Sequence, residues 1–304
     1  MIRANNLWKK YGHHDALQGL SFTVPEGSAF ALIGANGAGK TTTIKMLMNI
    51  LEPTRGTATV LGVDSRKLSP RELGRIGYVS ENQEMPLALT VDEYLAYLRP
   101  FYPKWDVELE RSLRRQLRLP GDRKIGNLSH GMRMKMALAC ALPFHPELLV
   151  LDEPFNGLDP LVRDEFMEGM LEQAGQMTVF MSSHDLSDID SFATHVAFVD
   201  SGKLLFEEPM DALMSRFREV HVTLEETASV PLCPPAEWLN IRVAGSVVTF
   251  VDSQFSDAGM NGRLSPVWSS IRRVETKPME LRSIFTTLAR AVRVEADEKE
   301  GAAR

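Results

Sequence analysis

GANGAGKT, Gly34–Thr41, is the stretch that decides how this chain folds. It fits the pattern G-x-x-x-x-G-K-[ST]. Just before it, SAFALI (28–33) is a short apolar run of the kind found in buried strands. Just after it, TTTIKMLMNIL carries apolar residues at helical spacing until EPTRG stops it. A strand, a glycine-rich turn and a helix in that order form a phosphate loop. The glycines let consecutive backbone N–H groups curl round an anion without a Cβ in the way, and the helix aims the positive end of its dipole at the same point. Gly34, Ala35, Asn36, Gly37, Ala38, Gly39, Lys40, Thr41 and Thr42 are thus candidate phosphate-binding residues. Lys40 adds a full charge near β/γ-phosphates, and Thr41 offers a hydroxyl to Mg2+.

A second signal lies more than a hundred residues on. LLVLDEP (148–154) is an apolar strand that ends in two acids, Asp152 and Glu153. In an open α/β sheet, ligands bind outside the carboxyl ends of the strands. There Asp152 is suited to hold Mg2+, and Glu153 to orient and deprotonate a water. Between the two signals, NLSHGMRMK (127–135) reads as a helix start with Ser129 at the N-cap. A hydroxyl and a glycine at a helix start also suit an anion.

The bulk composition fits this reading. A chain of 304 residues is ample for one large and one small domain, or two medium ones. A net charge of −6 gives no basic field to recommend nucleic acid as a partner. No apolar run approaches the ~20 residues that cross a bilayer. MIRANNLWKKYG lacks the apolar segment of a secretion signal. The two cysteines, Cys140 and Cys233, are expected to be reduced packing residues. His13 and His14 read as surface loop residues.

Residues 1–33 and 57–79 read as short strands, 85–147 as mainly helical, and TVFMSSH (178–184) as a second buried strand. HVAFVDSGKLLFEE (195–208) reads as a hairpin round Ser201-Gly202. After about 215 the character changes. EVHVTLEE, WLNIRVAGSVVTFVD and SSIRRVETK are strand-like, and PMELRSIFTTLARAV is helical. We read 216–292 as a small α+β accessory domain and 293–304, RVEADEKEGAAR, as a frayed charged tail.

Phosphate loop, LSHGM, LLVLDEP, NGLD and SSH, in that order over residues 1–215, resemble the ATP-binding cassette (ABC) ATPases. The resemblance implies an α/β P-loop NTPase core with an antiparallel β subdomain and a helical subdomain (about 85–147). It implies ATP and Mg2+ as ligands. In that family two cassettes, identical or not, dimerise head to tail, and each ATP lies between one chain's phosphate loop and the other's signature, usually LSGGQ. By resemblance, Ser129 bonds the γ-phosphate held by the partner, and Gly131 keeps the close-approach position. His130 stands where the family has glycine, and Met132 where it has glutamine. Tyr11 matches the aromatic that stacks on adenine, His184 the switch histidine, and Asp159 the loop that joins the two sites. The family's glutamine after GYV-x falls on Glu81, with Gln83 two residues later. Either side chain could reach Mg2+ or the water, or be only a loop residue, and we favour Glu81.

The helical insert and the C-terminal stretch resemble a bacterial export-type subgroup whose cassette is a separate chain at the cytoplasmic face of the inner membrane, working with separate membrane-spanning subunits. The alternatives are a soluble ABC ATPase acting on ribosomes or DNA, and a non-catalytic nucleotide-sensing module. One phosphate loop, no sustained heptads and no basic tract weigh against the first. Glu153 and His184 weigh against the second.

Overall fold

The computed structural model describes residues 1–302 except 173, 174, 176, 191, 232 and 269; the side chains of 258, 261 and 292–302 are outside the description. The chain divides into two compact units, Met1–Glu207 and Glu208–Arg304.

The first unit begins with β1 (Ile2–Tyr11), β2 (His14–Val24) and β3 (Ala29–Ile33), then α1 (Lys40–Leu47), β4 (Arg55–Val60), β5 (Val63–Asp64), α2 (Pro70–Leu73) and β6 (Ile76–Ser80). A helical stretch follows: α3 (Val91–Leu98), α4 (Val107–Gln116) and α5 (His130–Ala141). The chain then returns through β7 (Leu148–Asp152), α6 (Pro160–Leu171), β8 (Thr178–Ser183), β9 (His195–Asp200) and β10 (Lys203–Pro209). An antiparallel sheet has the order β2-β1-β4-β5, and a six-stranded sheet the order β10-β9-β3-β8-β7-β6. In the larger sheet β9, β3, β8, β7 and β6 pair in parallel. Their near-continuous apolar sequences follow from burial on both faces. Phe22 of the small sheet stacks on Phe30 and Phe180 of the large one at 5.8 Å, so one core joins the two. The expected hairpin closes at Ser201 and Gly202, both left-handed (φ +48 and +78), as a two-residue turn between twisted strands requires.

The second unit contains α7 (Met210–Arg216), β11 (Arg218–Leu224), β12 (Trp238–Ala244), β13 (Val247–Asp252), α8 (Met260–Leu264), β14 (Ile271–Pro278) and α9 (Leu281–Ala302). Its antiparallel sheet, order β12-β13-β11-β14, packs Val220, Val222 and Phe250 with Trp238 and Trp268 into a core of its own.

Three expectations need correction. The first unit ends at Glu207, not 215. The reason is α7, whose Arg216 forks onto Glu208 at 2.6 and 2.9 Å and donates to the Ser253 carbonyl at 2.6 Å, all within the second unit. The segment 293–304, expected to be a tail without regular structure, is helical as a continuation of α9 as far as Ala302, which its Ala, Arg and Glu content favours. Cys140 is buried in α5 as expected, but Cys233 is exposed in a proline-rich loop and is no packing residue.

Candidate active site

The phosphate loop joins β3 to α1 at the carboxyl edge of the parallel sheet. Gly39, next to α1, has φ +105, and a Cβ there would lie 2.5 Å from Leu17 Cδ2 and 2.8 Å from the Ala16 carbonyl. Gly34 is required by space alone, since a Cβ would come within 2.2 Å of the Val199 carbonyl oxygen. The loop is pinned at both ends: Gly34 N–H donates to Ser183 O at 3.3 Å, and Gly202 N–H donates to Ala38 O at 3.1 Å.

Lys40 is only 5 % exposed. Its ammonium donates to the carbonyls of Gly34 (2.6 Å) and Ala35 (3.1 Å) and lies 3.0 Å from Glu153 Oε1. Thr41 Oγ1 donates to Asp152 Oδ1 at 3.0 Å. The same carboxyl oxygen accepts from Ser182 Oγ at 2.8 Å, because the parallel register of β7 and β8 sets Asp152 beside Ser182. Burial pushes the Asp152 carboxyl above its ordinary range, while the hydroxyls of Ser182 and Thr41 pull it back. Thr41, which is exposed, and Asp152, which is buried, thus present hard oxygens side by side, which is the donor chemistry of a Mg2+ site.

Glu153 follows the strand with a left-handed backbone, φ +50, unusual for a residue with a side chain. Its N–H donates to Ser182 Oγ at 3.0 Å. The turn sends its carboxylate between Lys40 and His184, whose Nδ1 lies 2.7 Å from Glu153 Oε2. A carboxylate oxygen only accepts, so Nδ1 carries the proton of that bond. Lys40, Thr41, Asp152, Glu153 and His184 therefore form one cluster of contacts, drawn from the start of α1 and the ends of β7 and β8.

The remaining candidates sit outside it. Ser129 caps α5, accepting from Met132 N–H at 3.3 Å. Gly131 has a packing reason of its own: a Cβ would lie 2.9 Å from Val162 Cγ1 on α6. His130 Nε2 lies 3.0 Å from the Asn156 carbonyl. Met132 lacks the amide of the family pattern, and its sulfur accepts from Arg123 at 3.7 Å. Asp159 caps α6, accepting from Val162 N–H at 3.0 Å. Glu81 and Gln83 diverge. Glu81 Oε2 accepts from Asn156 Nδ2 at 2.9 Å, and its N–H meets the Asp152 carbonyl at 3.3 Å. Gln83 Oε1 is buried without a hydrogen-bond partner among the described residues, and Gln83 lines a cavity of about 240 Å³ with Tyr78 and Tyr94. Tyr11 is 48 % exposed at the end of β1, where its ring meets Lys9 and is not in a core.

Sequence reasoning missed Ser182, Asn156, and the link from α6 to the histidine loop. In that link Arg163 pairs with Asp188 at 2.9 Å and Asp188 accepts from Ser183 Oγ at 2.6 Å. Ser182 stood in plain view beside His184, but its role depends on a neighbouring strand's register, which no local pattern carries.

The family model described as ABC transporter matches residues 17–156. The bacitracin transport ATP-binding protein BcrA of Enterococcus faecalis is 34 % identical over 302 residues, covering 95 % of this chain and 96 % of that one. The daunorubicin resistance ATP-binding protein DrrA2 of Streptomyces coeruleorubidus is 32 % identical over 76 % of this chain and 74 % of its own length. Among solved structures, the ATP-binding subunit of an ABC transporter superposes with a TM-score of 0.64 at 29 % identity, over 71 % of this chain and 92 % of that one. With a phosphate loop facing a carboxylate pair and a histidine, and a relative matched over almost its whole length, the chain belongs to the ABC transporter family as one of its ATP-binding, ATP-hydrolysing subunits.

Proposed function

We propose that the chain powers an export-type transporter by clasping ATP between two cassettes at the cytoplasmic face of the inner membrane. The observation that carries the hydrolytic part is the run Lys40–Glu153–His184, joined at 3.0 and 2.7 Å beside the phosphate loop. The loop N–H groups and Lys40 bind the β/γ-phosphates. Mg2+, when bound through Thr41 and Asp152, would offset phosphate charge. Glu81 would bear on the ion or the water from the neighbouring strand end. Glu153 takes the proton of the attacking water, and His184 holds the carboxylate through Nδ1 while its other ring nitrogen faces the γ-phosphate. Lys40 lies 3.0 Å from Glu153 Oε1, so phosphate bound in the loop would compete for the ammonium and leave the carboxylate freer to act as base.

Ser129 and the α5 N-terminus bind the γ-phosphate of the ATP on the partner cassette, Asp159 links the two sites, and Tyr11 stacks on adenine. No helix among the described residues is long and apolar enough to cross a membrane. In this reading separate membrane-spanning subunits attach it to the membrane, and the daunorubicin-resistance name of one relative favours export. Glu153→Gln is the test. Turnover is expected to fall about 10²–10⁴-fold, while ATP still binds and holds a dimer on sizing. Wild-type hydrolysis in that variant removes Glu153 from its role.

A further inference from the structure

We propose that Asn156 is a positioning residue that joins the Ser129 helix start to the Glu81 edge of the phosphate site within one chain, through two of the positions where the chain departs from the family sequence. Its amide Nδ2 donates to Glu81 Oε2 at 2.9 Å. Its carbonyl lies 3.0 Å from His130 Nε2, and since a carbonyl only accepts, that nitrogen carries the proton. Its own N–H donates to the Glu153 carbonyl at 3.3 Å. Asn156 thus touches the signature helix, the base-bearing turn and the strand-end acid at once.

The surrounding backbone supports this arrangement. Glu153 and Gly157, on either side, are both left-handed, with φ +50 and +68, so the loop folds tightly enough to turn the Asn156 carbonyl toward α5. A Cβ built at Gly157 lies 3.8 Å from His130 Cδ2, which places the imidazole against that turn. A glycine at 130 has no side chain with which to make the bond. At 81 a carboxylate has only acceptors, so it fits the amide donor of Asn156 without ambiguity. The substitutions at 130 and 81 are therefore two ends of one linkage.

The consequence rests on the two-cassette reading above. Ser129 would serve the partner's nucleotide and Glu81 the chain's own, so Asn156 makes each chain transmit occupancy between its two surfaces. His130 and Glu81 also line one cleft of about 600 Å³, so a direct electrostatic coupling between them is the competing account.

The test is a double-mutant cycle on ATP turnover by the full chain with its membrane subunits, using His130→Ala and Glu81→Ala in wild-type and Asn156→Ala backgrounds. Each single variant is expected to lower kcat about three- to tenfold, with KM for ATP moving less than about twofold. The double variant should be no worse than the worse single; once Asn156 is alanine, Glu81→Ala should add nothing, while His130→Ala, whose bond is to the backbone carbonyl that alanine keeps, should retain its own loss, the same with or without Glu81. His130→Gln, which keeps an amide donor, should recover most of the loss. Thermal midpoints within about 2 °C of the parent show that the fold is kept. Losses that multiply overturn the proposal, and so does a coupling that persists in the Asn156→Ala background. Glu153→Gln run alongside separates the levels. If it is inactive while the cycle multiplies, only the linkage fails; if it turns over normally, the reading beneath it fails too.

Discussion

Gly131 shows how one position answers to two demands. In the sequence it reads as the close-approach glycine of an anion site. In the fold a methyl group there would press on Val162 Cγ1 at 2.9 Å, because α5 starts against the first turns of α6. Gly131→Ala should therefore lower stability by about 1–3 kcal/mol, seen as a lower urea midpoint. Gly131→Ala with Val162→Ala should lose less than the sum of the two single variants, since the second removes the clash created by the first. Turnover should stay low in the double variant if the glycine also meets phosphate. Strict additivity of the stability losses would refute the packing account. The phosphate loop was legible because its chemistry dictates residue types at fixed spacing. Val162 was not, because nothing within a few residues of Gly131 announces which helix will cross it.

At the scale of elements, the helical stretch is held by a buried charge that the sequence does not advertise. Glu110, on α4, has a side chain only 1 % exposed, yet Arg99 forks onto it with two bonds of 2.8 Å and Trp105 Nε1 donates a third at 2.8 Å. Burial alone would raise this carboxyl. The Arg99 and Trp105 hydrogen bonds outweigh it and hold the group below its ordinary 4.5. A folded-state value depressed in this way stabilises fully above 4.5 and is lost as pH falls through the lowered value. The urea midpoint should accordingly drop as pH falls from 4.5 through the lowered value, and drop less in Glu110→Gln. Arg99→Ala at neutral pH should cost about 2–3 kcal/mol, nearer the lower end because Arg99 is 39 % exposed and water can take its place. An unchanged midpoint would mean that solvent already screens the pair. Helices α3 to α5 were legible from apolar spacing, and the structure adds a Thr90–Glu93 capping box at the start of α3, completed by bonds of 2.8 and 3.2 Å. In the same stretch, DVELERSLRRQLRL read as an ordinary charged helix. Which of its acids turns inward depends on Arg99 and Trp105 arriving from the preceding turn.

For the whole molecule, the decisive question is whether Lys40 and Ser129 of one chain serve one ATP or two. Within a chain, the contacts of Lys40 are with the phosphate loop and Glu153, and those of Ser129 with the first turn of α5. In a symmetric pair, residue i of one copy meets residue j of the other, and the reverse holds at the second site. Complementation follows if the two chains are copies. Lys40→Ala and Ser129→Ala should each inactivate both sites of their own dimer. A mixed dimer places both lesions at one site and leaves the other with a native Lys40 and a native Ser129. After mixing, dissociation and reassociation in equal amounts, half the dimers are mixed, so about a quarter of all sites are intact. ATP turnover should rise well above that of either parent toward this ceiling, and it should follow the product of the two fractions as the ratio varies. If both residues served the same ATP within one chain, every site in every dimer would carry a lesion. Mixing would then restore nothing at any ratio.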